Sequence, residues 1–119
     1  MPAVTILVVE DSPDILTLVD RLLTARGHTV LSAPDPDHAS FVIAEHGGKP
    51  PDLLLVDIVL AGVSGVDYAR SMRGAYPTLK IVFMTGWPHR APTALRSALG
   101  PVLRKPFTAQ ELFDIIESR

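Results

Sequence analysis

Short apolar segments alternate along this chain with segments whose apolar residues recur at a helical period. A short apolar run in which apolar and polar residues do not alternate is typical of a parallel strand that is buried on both faces of the sheet. The pattern predicts five strands, at Val4–Val9, His28–Ser32, Asp52–Val56, Leu79–Met84 and Pro101–Leu103.

Helix starts and stops are marked between these strands. Ser12-Pro13 and Asp35-Pro36 each combine an N-cap residue with a proline at the first helical position, and Thr108 with Glu111 matches a capping box. The predicted helices run from Pro13 to about Arg26, from Pro36 to Gly47-Gly48, from about Ser64 to Tyr76, from Ala91 to Leu99, and from Thr108 onward, with Gly62–Gly65 as a loop.

Five strand–helix units in strict alternation predict an α/β domain with right-handed crossovers. We expect a single domain over residues 1–119, a flavodoxin-like doubly wound (βα)5 fold with a five-stranded parallel sheet in the order 2-1-3-4-5. In this order the ligand crevice opens between strands one and three, beyond their carboxyl ends.

Polar residues follow directly on these apolar runs. Glu10 and Asp11 follow the first strand, Asp57 the third, Thr85 the fourth and Lys105 the fifth. Because carboxyl ends of parallel strands share one edge, three carboxylates, a hydroxyl and an ammonium are predicted to converge there. Three carboxylates this close repel one another unless a cation lies among them.

An all-oxygen ligand set is typical of a hard cation, and Mg²⁺ commonly binds through one or two carboxylates plus a phosphate. Glu10 and Asp11 are the candidate metal ligands, and Asp57 is the candidate nucleophile for an aspartyl-phosphate. Lys105 offers a positive charge and Thr85 a hydroxyl donor to a phosphate oxygen.

Composition narrows further the class of protein to which the chain can belong. Of the 119 residues, 47% are hydrophobic and 20% charged, as in a folded globular chain, and the net charge of −2 argues against nucleic acid or a membrane surface as partner. The chain has no cysteine, its first strand begins too near Met1 for a signal peptide, and no apolar run approaches the roughly 20 residues that span a bilayer. We expect a cytoplasmic protein.

These residues in this order resemble the receiver domains of bacterial two-component response regulators. The match is carried by Glu10-Asp11, by Asp57 in Leu-Leu-Val-Asp-Ile, by Gly65 eight residues later, by Thr85-Gly86 and by Lys105-Pro106-Phe107. The stretches Met-Thr-Gly-Trp and Lys-Pro-Phe-Thr are similar to the corresponding stretches of receiver domains that are attached to hybrid histidine kinases or serve them.

The resemblance implies a receiver that takes a phosphoryl group onto Asp57 from a histidine kinase or a histidine phosphotransfer domain. It implies Mg²⁺ held by Glu10, Asp11, Asp57 and the backbone carbonyl of Val59, and a cis peptide bond before Pro106. Such a protein is no enzyme beyond its own phosphorylation and dephosphorylation. A homodimer through the fourth helix, fifth strand and last helix is a further expectation.

Two positions depart from the family pattern. The switch aromatic expected three residues before the lysine is Val102, and the proline expected four residues after the phosphorylated aspartate is Ala61. Val102 leaves open an alternative, a degenerate receiver that acts as an interaction module without phosphorylation. A flavodoxin-like binder of small ligands is disfavoured because no glycine-rich loop follows the first strand.

Two further sets of residues have predicted roles. The apolar arc of the first helix spans roughly 160°, wider than one buried stripe needs, so Ile15 and Leu18 are predicted to dock a helical partner. Leu16, Val19 and Leu23 are its predicted core row. Val59 and Trp87 each lie two residues after a site residue, where the resemblance places the path of the hydrolytic water, and they are predicted to lengthen the phosphorylated lifetime.

Overall fold

The computed structural model describes residues 2–86 and 99–118 of the chain. Its strands are β1 Thr5–Val9, β2 Thr29–Ala33, β3 Leu53–Asp57, β4 Val59–Leu60, β5 Val63–Ser64, β6 Lys80–Thr85 and β7 Val102–Arg104. Its helices are α1 Pro13–Ala25, α2 Pro36–Glu45, α3 Gly65–Ala75 and the last helix, Ala109–Glu117. Trp87 and the predicted helix at Ala91–Leu99, except Leu99 itself, lie outside the described residues.

The main sheet has five parallel strands in the order β2-β1-β3-β6-β7. Since β6 and β7 are its fourth and fifth strands along the chain, the predicted 2-1-3-4-5 order and the flavodoxin-like fold are confirmed. Strand bounds differ from the predicted ones by about a residue, because hydrogen-bond pairing sets the ends of a strand and hydrophobicity does not.

Alternate residues of each strand face two separate cores. Leu7 and Val9 of β1 pack with residues of α2 and α3, whereas Ile6 and Val8 pack with residues of α1 and the last helix. The sheet is therefore covered on both faces, which is why its central strands β1, β3 and β6 are largely apolar. Within the described residues, no helix has the length and apolar character needed to cross a membrane.

The predicted caps start the helices as expected. Asp35 accepts a hydrogen bond from the backbone N–H of His38 at 2.8 Å. Thr108 and Glu111 form both bonds of the capping box, at 3.0 and 2.8 Å. Ser12 and Ser64 cap α1 and α3 in the same way. Each cap satisfies backbone donors that the first helical turn leaves without partners.

The predicted loop over Gly62–Gly65 is wrong. Val59–Leu60 and Val63–Ser64 pair as an antiparallel hairpin, and Gly65 is already the first residue of α3. Gly62 has a φ of 76° at the second position of the two-residue turn, the positive value that a type II turn requires there. A pattern of apolar residues does not reveal so short a ladder.

His28 is buried, although a histidine is more often a surface residue, and it is only 5% exposed. Its Nδ1 accepts a hydrogen bond from the backbone N–H of Val4, so its Nε2 carries the proton and donates to Glu117 at 3.1 Å. Glu117 also accepts from Arg26, whose guanidinium lies 4.6 Å from the centre of the Phe113 ring. These contacts hold the end of the last helix against the start of β1.

We assign this turn to type II, which explains why the family pattern has a proline where this chain has Ala61. Ala61 stands at the first central position, where proline is favoured because its fixed φ matches the turn. We expect Ala61→Pro to raise the free energy of unfolding by about 0.4–1 kcal/mol, as measured by urea denaturation. Gly62→Ala should lower it, because an alanine at positive φ is strained. A destabilised Ala61→Pro variant would contradict the assigned turn.

The contacts of Glu117 with Arg26 and His28 predict a contribution to stability that is lost in acid. The hydrogen bond from Arg26, and then that from His28, lower the pKa of Glu117 from 4.5 to about 2. A carboxyl whose pKa is lower in the folded state stabilises the fold at any pH above its pKa in the unfolded chain. This contribution is lost as the pH falls from about 4.5 toward 2.

Glu117→Gln should therefore lower the melting temperature at pH 6–7 and differ less from the parent protein as pH approaches 2. At neutral pH we expect a loss of up to about 1 kcal/mol, because the amide oxygen can still accept from His28 but has no charge to pair with Arg26. Glu45→Gln, at an exposed carboxyl of α2, is the control. A deficit of equal size at both ends of the pH range would argue against the ion pair.

Candidate functional site

The site is built where four strands of the main sheet end. Glu10 follows β1, Asp57 is the last residue of β3, Thr85 is the last of β6, and Lys105 follows β7. Backbone hydrogen bonds carry the ladder past these ends: Ile58 N–H donates to Met84 at 2.9 Å, and Lys105 N–H donates to Thr85 at 2.8 Å. The parallel register thus brings together side chains that are far apart in the sequence.

Three carboxylates meet at this edge. Glu10, Asp11 and Asp57 each have an oxygen within 4.8 Å of the others. Glu10 and Asp57 are 1% and 6% exposed, whereas Asp11 is open to solvent. Two of the carboxylates have therefore lost most of their hydration, and only nearby positive charge and hydrogen bonds can compensate.

Lys105 supplies the positive charge. Its Nζ lies 2.7 Å from Oε1 of Glu10 and 2.5 Å from Oδ2 of Asp57. The other oxygen of each carboxylate accepts a backbone N–H: Glu10 from Ser12 at 3.0 Å, and Asp57 from Val59 at 2.8 Å. Each buried carboxylate is thus held on one side by the ammonium and on the other by the loop that follows its strand.

The charges at this edge do not balance. Burial raises the pKa of Glu10 to about 6; hydrogen bonds from Lys105 and Ser12 oppose the rise, and the charge of Asp57 adds to it. Burial lowers the pKa of Lys105, but hydrogen bonds to Asp57 and Glu10 outweigh it and the pKa is raised, so the ammonium is charged at neutral pH. With all three carboxylates ionised, one ammonium leaves a local charge of −3 + 1 = −2.

The donor set fits a hard divalent cation. Among the described residues within reach, the three carboxylates offer oxygen atoms only, and the uncompensated charge of −2 matches one Mg²⁺. Asp11 is exposed, so a partly hydrated ion has access from solvent. Glu10 and Asp57 would share their negative charge between this ion and Lys105.

The other predicted site residues lie around this centre. Thr85 is buried at the end of β6, between the strands that carry Asp57 and Lys105. The peptide bond between Lys105 and Pro106 is cis. Val102, at the position of the missing aromatic, is half-buried and packs into the core on the α2–α3 side.

The predicted docking residues on α1 differ in exposure. Leu18 is 49% exposed, whereas Ile15 is half-buried and packs against the core. Of the predicted core row, Val19 and Leu23 are fully buried and Leu16 is half-buried. Val59, predicted to tune the phosphorylated lifetime, is 57% exposed beside Asp57.

Sequence reasoning missed two backbone donors, those of Ser12 and Val59, since an N–H group has no residue signature. It found Gly65 only through the family resemblance. A Cβ built on Gly65 would lie 1.9 Å from the backbone oxygen of Asp57, so any other residue would push the start of α3 away from the loop that presents Asp57. The close approach explains the glycine physically.

The chain belongs to the response regulator receiver domain family, whose profile matches residues 6–117. Receiver domains are typically non-catalytic apart from their own phosphorylation chemistry, and membership implies a kinase partner. The acidic cluster of Glu10, Asp11 and Asp57 is consistent with a phosphoacceptor site of this family.

Curated relatives include the transcriptional regulatory protein TcrA of Mycobacterium tuberculosis, 33% identical over 112 residues, which are 92% of this chain and 43% of that protein. The nitrogen assimilation regulatory protein NtrX of Azorhizobium caulinodans is 31% identical over 116 residues, 94% of this chain and 25% of that protein. The chain thus spans less than half the length of these relatives.

Solved structures agree in fold. NtrX from Brucella abortus superposes with a TM-score of 0.85 at 32% identity, over 98% of this chain and 26% of that one. The receiver domain of the hybrid histidine kinase CckA superposes with a TM-score of 0.77 at 30% identity, over 95% of both chains.

The geometry predicts that Asp11 binds a divalent cation at little structural cost, because its side chain is exposed. Asp11→Asn should weaken Mg²⁺ binding by roughly tenfold or more, since even the loss of a supporting partner costs 10–100-fold in metal affinity. Isothermal titration calorimetry measures the change. Asp14→Asn, an exposed carboxylate in the first turn of α1, is the matched control, and an equal loss in both variants would contradict a specific site.

Proposed function

We propose that this chain is a phosphoacceptor receiver domain of two-component signal transduction, with Asp57 as the phosphorylated residue. The observation that carries the proposal is the position of Lys105, whose ammonium bridges Asp57 and Glu10 at the sheet edge beside Asp11. The phosphoryl donor is the phosphohistidine of a histidine kinase or of a histidine phosphotransfer domain, since family membership implies a kinase partner.

In the proposed reaction, a carboxylate oxygen of Asp57 attacks the phosphorus of the partner's phosphohistidine. The new O–P bond forms as the P–N bond breaks, and the electron pair of that bond returns to the imidazole, which takes up a proton. Dephosphorylation is the attack of water on the same phosphorus, which releases inorganic phosphate and restores the carboxylate. Asp57 suits the role because the N–H of Val59 already fixes its orientation.

Mg²⁺, held by Glu10, Asp11, Asp57 and the backbone carbonyl of Val59, would neutralise negative charge on the transferring phosphoryl group. Lys105 holds a phosphoryl oxygen by a charge-assisted hydrogen bond once Asp57 is modified. The Thr85 hydroxyl donates to another oxygen from the end of β6. Thr85 and Lys105 therefore sense the phosphoryl group directly.

Phosphorylation then shifts a conformational equilibrium through Thr85 and Lys105. Because Val102 stands where the family has its switch aromatic, an inward swing of an aromatic at this position does not carry the signal. We expect Thr85, Lys105 and the predicted fourth helix to be the moving parts. An alternative is a degenerate receiver that acts as an interaction module without phosphorylation, and Val102 is the feature that permits it.

We place the partner's docking surface on α1, at Ile15 and Leu18, beside the loop that carries Asp11. Half of the Leu18 side chain is exposed, as an apolar contact for a partner helix requires. Val59 and Trp87 would slow hydrolysis by excluding water. A homodimer through the predicted fourth helix, β7 and the last helix, a single domain over residues 1–119 and a cytoplasmic location, which is usual for response regulators, complete the proposal.

The proposal predicts a covalent product. With acetyl phosphate and Mg²⁺, the protein should gain the mass of one phosphoryl group in intact mass spectrometry, and Asp57→Asn should abolish the gain. Asp67→Asn, an exposed carboxylate in the first turn of α3, should leave it unchanged.

Lys105→Ala should still be labelled slowly. Phosphorylation should shift its conformational equilibrium less than in the parent protein, because the phosphoryl oxygen loses its cationic partner. A parent protein that gains no mass while remaining folded and able to bind Mg²⁺ would favour the degenerate module. A gain that persists in Asp57→Asn would place the acceptor elsewhere.

A further inference from the structure

Arg73 links the starts of the two strands that carry Thr85 and Lys105. Its Nε donates to the backbone oxygen of Leu79 at 2.9 Å, and its Nη2 donates to that of Leu99 at 3.2 Å. Leu79 immediately precedes β6, and Leu99 lies just before β7. One guanidinium thus fixes the distance between two backbone segments at the sheet edge opposite the site.

An arginine is suited to this task. Its planar guanidinium presents several N–H donors in fixed directions, whereas a lysine ammonium is a single point on a flexible stem. Arg73 lies in the last turn of α3, where a positive charge is favourable toward the carboxyl end of a helix. The residue is half-buried, so its two hydrogen bonds are partly shielded from water.

Gly100 completes the arrangement. A Cβ at this position would lie 1.8 Å from the backbone oxygen of Ile81, so only glycine lets the start of β7 approach β6 this closely. The next residue, Pro101, accepts a hydrogen bond from the N–H of Phe83 at 2.9 Å. The spacing between the strands is therefore set before β7 begins.

β7 depends on this spacing more than the other strands do. It is an edge strand of three residues, and among the described residues it pairs only with β6. Lys105 comes directly after it, and the N–H of Lys105 donates to the backbone oxygen of Thr85. A shift at the start of so short a strand is transmitted to its end, where the ammonium meets Asp57 and Glu10.

We propose that Arg73 is a positioning residue for phosphorylation: by bridging the carbonyls before β6 and β7, it sets where Lys105 stands relative to Asp57. The proposal rests on the proposed function, because Lys105 acts there on the phosphoryl group. Arg73 itself touches neither carboxylate nor phosphate.

The test compares Arg73→Ala and Arg73→Lys with two controls. Arg70→Ala removes an exposed arginine of the same helix, and Ile43→Val makes a small buried deletion in the same core. Each variant is assayed at a temperature and in a buffer at which urea denaturation shows it to be fully folded. The readouts are the labelling rate at saturating acetyl phosphate and the hydrogen exchange of the Lys105 backbone amide.

Arg73→Ala should label about tenfold more slowly at saturation, since a small misplacement of a site group can cost up to about 100-fold. The Lys105 amide should lose protection in the same variant, Arg73→Lys should be intermediate, and both controls should match the parent. If Arg73→Ala does not fold, Arg73→Lys carries the same comparison.

Parent-like labelling and Lys105 protection in a folded Arg73 variant would overturn the inference. Loss of labelling in Ile43→Val to the same extent would also overturn it, because the effect would then follow general stability. If the parent protein takes no phosphoryl group, the proposed function fails, but protection of the Lys105 amide still decides whether Arg73 positions it.

Discussion

The ion pairs of Lys105 with Glu10 and Asp57 are the interaction on which the rest of the site depends. They join the ends of β1, β3 and β7, and the ammonium that follows β7 offsets the buried negative charge of Glu10 and Asp57 at the ends of the other two strands. One ammonium cannot neutralise three carboxylates, and the charge that remains makes this edge a cation site. The parallel sheet brings the cluster together, because the carboxyl ends of all its strands lie at the same edge.

Much of this could be predicted from the sequence, for a definite physical reason. Strands covered on both faces must be apolar throughout, so polar residues at their carboxyl ends, such as Asp57 and Lys105, stand out against the runs that precede them. Helix caps are equally local: the side chains of Asp35 and Thr108 bond to amides three residues away, which leaves a readable spacing. The strict alternation of strands and helices predicts a doubly wound sheet, and the flavodoxin-like strand order is one of the two common orders of such sheets.

What escaped prediction depends on long-range or backbone contacts. His28 carries no mark of burial in the sequence, because its partner Glu117 is 89 residues away. The hairpin after Asp57 is too short to create a pattern, and the N–H of Val59 that orients Asp57 belongs to every residue type except proline. Arg73 was missed because its acceptors are carbonyl oxygens, which have no side-chain signature.

A structure determined in the presence of Mg²⁺ tests the central claim most directly, since the claim concerns where charge is placed. We expect an ion with oxygen ligands at about 2.0–2.1 Å, taken from at least two of Glu10, Asp11 and Asp57, with waters completing an octahedron. Lys105 should remain within hydrogen-bond distance of Asp57 and move away from Glu10 as the ion takes up its charge. An ion bound elsewhere, or an edge that stays free of Mg²⁺ at saturating concentration, would contradict the account.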